Sequence, residues 1–384
     1  MTGGFPLAVY VHWPFCLRKC PYCDFNSHVA DAVDHRRWRR ALGAELEHFA
    51  AKTRDRPLAS LFFGGGTPSL MEAETVADLI ARARALWPSP APDEVEITLE
   101  ANPGTVDRAR FQAFREAGVT RLSLGVQALD EAALGLLGRI HGVAEALAAV
   151  EAARHVFPRL SLDLIYARPG QTDASWREEL ARVLDLAPDH LSLYQLTIEP
   201  GTAFHRVHAP PGEDEAARLF ETTQDMTAAA GLPAYEISNH ARPGRECRHN
   251  LAYWRGCDYV GVGPGAHGRI TGRHGVDAVR QRRAPGRWLA EVEAEGHATR
   301  ERETLSPGDR AVELLLMGLR LTEGVARDRF RRQCGMELED VLAPGAAQAL
   351  ADHVSLDGTG LRTTPAGRLT LNEVLRQLLH GCPA

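Results

Sequence analysis

Six short apolar runs, each followed by an amphipathic stretch, constrain this chain more than any other feature. "LAVYVHW" (7–13), "SLFFGGG" (60–66), "EVEITLEANPG" (94–104), "RLSLGVQ" (121–127), "LSLDLIYARPG" (160–170) and "HLSLYQLTIEPG" (190–201) read as strands. Between them, segments such as "AETVADLIARARALW" and "DASWREELARVLDLA" repeat apolar residues at helical spacing. Strands joined through helices pair in parallel, because the crossover returns the chain to its original direction. Runs rich in Val, Ile and Leu are expected where both sheet faces are covered. Repeats of roughly 30–40 residues suit a β/α barrel, and six units fall short of the eight that close one. The expectation is an α/β fold with a partial, open (β/α)6 barrel.

Beyond residue 200 the pattern loosens. "DEAARLFETTQDMTAAAGL" has helical spacing, and "DYVGVGPGAHGRI" reads as a further strand ending in a glycine-rich turn. A Pro/Gly/Arg-rich stretch around 270–287 reads as a connection, so domains are expected at 1–275 and 285–384. In the second, Ser306 is a good N-cap with Pro307 at the first helical position. "GLRTTPAGRLTLNEVLRQLL" reads as a hairpin and a helix, making the second domain helical and winged-helix-like. Residues 306–384 carry nine Arg and no Lys against ten Asp and Glu. That near-neutral balance favours a structural or lid role over DNA binding.

A net charge of -6 likewise argues against a nucleic-acid partner. The N-terminal "MTGGFPLAVYVHWPF" has neither a basic n-region nor an adequate apolar core, and no apolar stretch is long enough to span a bilayer. A cytoplasmic location is expected. The seven cysteines are an odd number, and Cys247, Cys257, Cys334 and Cys382 are scattered. That argues against a disulfide framework and for a reducing compartment.

Cys16, Cys20 and Cys23 lie within eight positions, directly after the first strand and so at the barrel mouth. Three thiolates on a 4Fe–4S cluster leave one iron without a protein ligand, which a cluster needs to chelate a substrate. The alternative is a Cys3His zinc site completed by His12 or His28. Compact zinc sites usually pair two CxxC hooks, and the chain has no second hook. Glu100, Gln127 and Asp163 are polar interruptions of apolar strands. Each would be a costly orphan unless it joined a buried hydrogen-bond network or met a ligand.

CxxxCxxC with Tyr22 before the third cysteine resembles the signature of radical S-adenosylmethionine (SAM) enzymes. The resemblance implies that Cys16, Cys20 and Cys23 bind a 4Fe–4S cluster whose free iron is chelated by SAM. It implies further that the loop Gly64, Gly65, Gly66 and Thr67 receives the methionine amino group and that Glu100 meets its ammonium. Gln127 and Asp163 would bind hydroxyls, Arg139 a carboxylate, and Tyr10 and Tyr22 would pack at the cofactor. "YVHWPFC", "CPYCDFNSH", "GGGTPSL", "EANPGT", "GVQ", "GRIHG" and "LYQLTIEPGT" together resemble one branch, the oxygen-independent coproporphyrinogen III oxidases and the HemW-type heme chaperones.

Several differences within that branch bear on function. The oxidases hold a fourth cysteine where this chain has Phe25, and carry a substantial segment ahead of the first strand, where this chain has six residues. "CRHNLAYW" places His249, Asn250, Tyr253 and Trp254 on the HNxxYW motif of the chaperones, whose histidine is associated with heme. Imidazole is a common axial ligand, and Cys247 is a competing thiolate. The resemblance thus implies a chaperone that binds heme, cluster and SAM and delivers heme to respiratory hemoproteins, as a monomer or a cluster-dependent dimer. The alternative is SAM-dependent radical decarboxylation of coproporphyrinogen III, an activity expected to be absent. Relatives generally read Gly-Leu at Ala167-Arg168, a mild change unless the backbone there needs a positive φ. Arg168 would meet a ligand carboxylate or solvent. "RRWRR" (36–40) and "RQRR" (280–283) read as solvated faces, with anionic lipid as the alternative contact.

Overall fold

The computed structural model describes residues 6–30, 32–89 and 94–379. Cys382 and residues 1–5, both used in the reading of compartment, lie outside them. β1 (Leu7–Trp13) leads into a short pair, β2 (Phe15–Cys16) and β3 (His28–Val29), which frames the cysteine loop. Next come β4 (Leu58–Gly65), β5 (Glu96–Ala101), β6 (Arg121–Gln127), β7 (Leu160–Tyr166) and β8 (His190–Gln195). With β1 they lie side by side in parallel. β9 (Asn239–Ala241) runs antiparallel beside β8, and β10 (Tyr259–Val262) adds a seventh parallel strand beyond β1. The outer strands of the eleven-stranded sheet do not pair with each other, so the barrel is open and partial as expected.

Residues 270–287 are not the expected connection. β11 (His267–Gly272) and β12 (Gly275–Gln281) form a tight hairpin there, and β13 (Thr299–Thr304) pairs with β12. The helix Pro285–Glu295 sends Trp288, Leu289 and Val292 into the main core. Gly and Pro punctuate hairpin turns and helix starts as readily as linkers, which is why the composition misled. A second apolar core begins at Ala311 and runs to Leu378. It unites the helix Pro307–Gly318, whose Ser306 N-cap accepts from the Asp309 amide, with β14 (Val325–Ala326), β15 (Val354–Leu356) and β16 (Gly360–Thr363). Among the described residues no helix is long and apolar enough to cross a membrane.

The strands are covered on both faces, but the two coverings differ. On β1, Val9, Val11 and Trp13 join the core under the helices, while Tyr10 and His12 turn inward. Leu61 and Phe63 of β4, Leu122 and Leu124 of β6 and Leu162 and Leu164 of β7 continue that outer layer. Their alternates Phe62, Ser123 and Asp163 line the concave side. A strand has period two, so each places one residue set under helices and the other in the barrel interior. The interior mixes polar side chains with aromatic rings around open space, which leaves room for a ligand rather than a packed core.

Two turns at the ends of these strands are strained. Gln127 (φ +68) and Ala167 (φ +58) hold left-handed backbone without being glycine. A glycine at position 167 would hold this backbone without that strain. Arg168 beside it is buried rather than solvated. It turns into a buried ion pair with Glu179, which also takes the Leu129 amide at 2.7 Å and the Gln171 side chain at 3.2 Å. Replacing Ala167 with glycine is expected to stabilise the fold by about 1 kcal/mol, the relieved strain exceeding the added chain entropy of the unfolded state. A lower midpoint of urea unfolding for the variant would refute this.

Candidate functional site

The cysteine loop closes the mouth of a cavity of about 470 Å³. Cys16, Cys20, Cys23, Tyr22, Glu100 and Arg139 all face it, as do Gly65, Gly66, Thr67, Gln127 and Asp163. The structure thus brings together the predicted cluster and SAM residues, apart from Tyr10 and Gly64. Each thiol has its own polar neighbour. Thr67 Oγ1 donates to Cys16 Sγ at 3.3 Å, Arg139 Nη1 to Cys20 Sγ at 3.6 Å, and Ser27 Oγ lies 3.6 Å from Cys23 Sγ. Burial raises the Cys16 thiol pKa, and the Thr67 bond offsets part of that rise. Among the described residues no three His, Cys, Asp or Glu side chains converge on one point that a single ion would occupy. His12, a proposed fourth zinc ligand, has its ring nitrogens engaged by Tyr10 Oη (3.1 Å) and the Asn26 carbonyl (2.9 Å). His28 Nε2 lies 3.1 Å from Asn26 Oδ1. A cubane places each sulfur on a different iron, so its three thiolates need not converge on one point as zinc ligands do.

The glycine loop is pressed against the start of the chain. Gly66 N donates to Trp13 O (2.7 Å) and Thr67 N to Phe15 O (2.8 Å). A Cβ on Gly65, at φ +112, would lie 2.6 Å from the His12 ring, and one on Gly66 would lie 2.7 Å from Phe15 O. With Gly65 N given to Glu100 (3.3 Å), these three amides are committed. An ammonium is itself a donor, so it would use carbonyl oxygens of this loop together with Glu100. Burial, then the charge of Asp163, pushes the Glu100 pKa up to about 8. Asp163 is tied into a hydroxyl network, accepting from Ser123 Oγ at 2.9 Å and Ser161 Oγ at 3.2 Å. Arg139 is not a free fork. Its second arm holds Gly125 O at 3.0 Å, and only Nε is buried without a partner.

A second cavity of about 850 Å³ adjoins the first and shares Phe25, Gly65, Glu100, Ser123, Asp163 and Tyr194 with it. Phe25 is 62% exposed at that junction. Tyr10 faces this second cavity, where its ring lies 6.2 Å from those of Phe62 and His249. His249 sits on the helix Arg248–Trp254, with Phe62 stacked at 4.8 Å and Tyr253 at the same distance on a tilted plane. Its Nδ1 lies 3.0 Å from Ser60 Oγ, and its Nε2 is buried without a partner. Burial, then the charge of Arg121, pushes its pKa down to about 3, so the ring is neutral. Asn250, Tyr253 and Trp254 line the same space. Cys247 does not. It is fully buried, its Sγ points at Glu96 Oε1 (3.5 Å), and burial raises its pKa to about 12. A protonated thiol committed elsewhere does not compete for iron.

Residues 10–183 match the radical SAM superfamily, and residues 305–370 match the HemN C-terminal domain. The chain is 38% identical to the mitochondrial radical S-adenosyl methionine domain-containing protein 1 of Danio rerio, over 97% of this chain and 86% of that one. It is 38% identical to the heme chaperone HemW of Escherichia coli, over 97% of this chain and 98% of that one. The chain belongs to the HemW-type branch of the radical SAM superfamily. Its fold also matches coproporphyrinogen III oxidase (HemN) of Escherichia coli, with a TM-score of 0.81 and 23% identity over 98% of this chain and 91% of that one.

This HemW-type site depends on residues that sequence reasoning overlooked. Glu96 accepts from the amides of Arg248 (2.9 Å) and His249 (3.3 Å), capping the helix that carries the HNxxYW motif. Arg159 holds the other oxygen of that carboxylate at 2.9 Å. Ser60 orients the imidazole, and Arg121 supplies a buried cation beside it. Met317 and Arg320, from beyond residue 304, form part of the cavity wall. Ser60, Glu96 and Arg121 do leave a trace, since each occupies the alternate, polar position of an otherwise apolar strand.

Proposed function

We propose that this protein is a heme chaperone that holds a 4Fe–4S cluster and SAM in the smaller cavity and heme in the larger one. From the cytoplasm it delivers heme to respiratory hemoproteins. The observation that carries this reading is the neutral, Ser60-oriented His249, with an unpartnered Nε2, in an aromatic-walled cavity of about 850 Å³. An axial ligand needs a neutral imidazole with one free nitrogen, and aromatic rings suit a porphyrin face. Heme would supply an iron with open axial positions, and the chain supplies the imidazole, its orientation and a cavity that limits water. Cys16, Cys20 and Cys23 would hold the cluster, with Thr67 and Arg139 donating to two of the sulfurs. Heme titration of the full chain tests the reading. A saturable Soret band at one equivalent supports it, and the absence of such a band ends it.

Glu100 makes the SAM assignment measurable. With a pKa raised to about 8 it is protonated at pH 7, and pairing with an ammonium requires the carboxylate. SAM binding at pH 7 is therefore expected to release about one proton, with affinity rising as pH approaches about 8. Calorimetry in buffers of different ionisation enthalpy measures the release. Glu100→Gln should lower the release by about one proton, and an unchanged release in that variant would refute the role of Glu100.

One observation favours a second reading. The two cavities share a wall at Glu100, Asp163 and Tyr194, so a tetrapyrrole in one would lie next to SAM in the other. Anaerobic formation of protoporphyrinogen IX from coproporphyrinogen III, SAM and a reductant would establish the decarboxylase. Phe25, where the oxidases carry a cysteine, weighs against it.

A further inference from the structure

Charged groups of both signs line the larger cavity. Glu100, Asp163 and Glu236 lie on its barrel side together with the buried Arg121, and Arg280, Arg283 and Arg320 lie on its outer wall. Arg280 is compensated by Glu301 at 3.3 Å. For Arg283 and Arg320, no carboxylate lies within 4.0 Å among the described residues, although most arginine-rich surfaces of this chain are laced with ion pairs. The two are placed differently. The Arg320 guanidinium lies 5.7 Å from the ring centre of Trp254, at the end of the helix that carries His249. Arg283 is fixed through its backbone, where its carbonyl accepts Asn26 Nδ2 at 2.9 Å. The same Asn26 amide reaches Pro264 O at 2.9 Å, tying the cysteine loop to this wall.

Two guanidiniums without a carboxylate partner on the rim of one cavity, one of them packed against Trp254, form an anion site, and the planar fork suits carboxylates. The structure assigns Arg283 and Arg320 as anchors for the carboxylates of the tetrapyrrole, an inference that rests on the heme reading above. The cations without a carboxylate partner stand on the outer wall, so the ligand's carboxylate edge faces outward while its centre faces His249. The class of ligand is therefore a planar tetrapyrrole with free carboxylates, and esterified porphyrins are poor substitutes.

The test compares heme with heme dimethyl ester, titrated into the full-length chain and its R283Q, R320Q and R320K variants. Each glutamine variant is expected to weaken heme binding by about five- to tenfold with an unchanged Soret maximum, because the axial ligand is intact. R320K should recover part of the loss, and ester affinity should be the same in all four proteins. Glutamine variants that bind heme as tightly as the native chain would overturn the anchors while leaving the His249 reading standing. Equal weakening toward heme and ester would overturn them too, by showing a merely structural role. A native chain with no Soret band would instead sink the heme reading itself.

Discussion

Replacing Cys20 with serine is expected to reduce the broad iron–sulfur absorbance of the anaerobically reconstituted protein to below about a tenth of its native value. Three cysteines carry the cluster in this reading, and the loop that holds them offers no spare thiol. Position 25 is phenylalanine, and the next cysteine in sequence, Cys247, is fully buried against Glu96. A serine hydroxyl stays protonated at neutral pH and is a poor ligand for iron. The substitution also takes away the sulfur that Arg139 Nη1 approaches at 3.6 Å, leaving that cation beside a neutral oxygen. The folded chain should survive, since Cys20 lies at the cavity mouth and outside the apolar cores. Cys247→Ser is the control and should retain the native spectrum. A normal cluster in Cys20→Ser would refute the triad assignment.

Replacing His249 with alanine is expected to shift the Soret maximum and to weaken heme binding by at least about tenfold, the loss of one iron–imidazole bond in a site that keeps its aromatic contacts. In the ligating tautomer Nδ1–H donates to Ser60 Oγ, leaving the lone pair of Nε2 for iron. Ser60→Ala should therefore weaken binding less and leave the Soret position alone, because it loosens the ring without removing the ligand. Truncation of a buried ring also opens a hole beside Phe62, so His249→Phe separates packing from ligation. If His249→Phe binds heme with the native spectrum and affinity, His249 is not the ligand.

Both expectations draw on features that differ in how far they could be read from the chain. The parallel order of β1 and β4 to β8 follows from local pattern, since each apolar run and each helix carries its own periodicity. The cysteine triad, the glycine loop, Glu100 and Gln127 could be placed at one mouth because parallel strands deliver their C-terminal ends to the same side. The hairpin of β11 and β12 could not, because the glycines that make its turn look the same as those of a linker. Nor could the fate of Arg168, whose buried pairing with Glu179 depends on how the helix Asp173–Asp185 packs back beneath it.

The amino-acid sequence alone determined the order of strands and helices, the positions of the thiols and the branch of the superfamily to which the chain is similar. Each of these rests on residues a few positions apart. Only the tertiary structure decided that His249 has one engaged and one unpartnered nitrogen, that Cys247 is withdrawn from the cavity, and that Arg283 and Arg320 share a cavity rim. Ser60 and His249 are 189 positions apart, and Cys247 and Glu96 are 151 apart. Contacts across such separations arise from the closing curve of the sheet, for which local periodicity carries no signal.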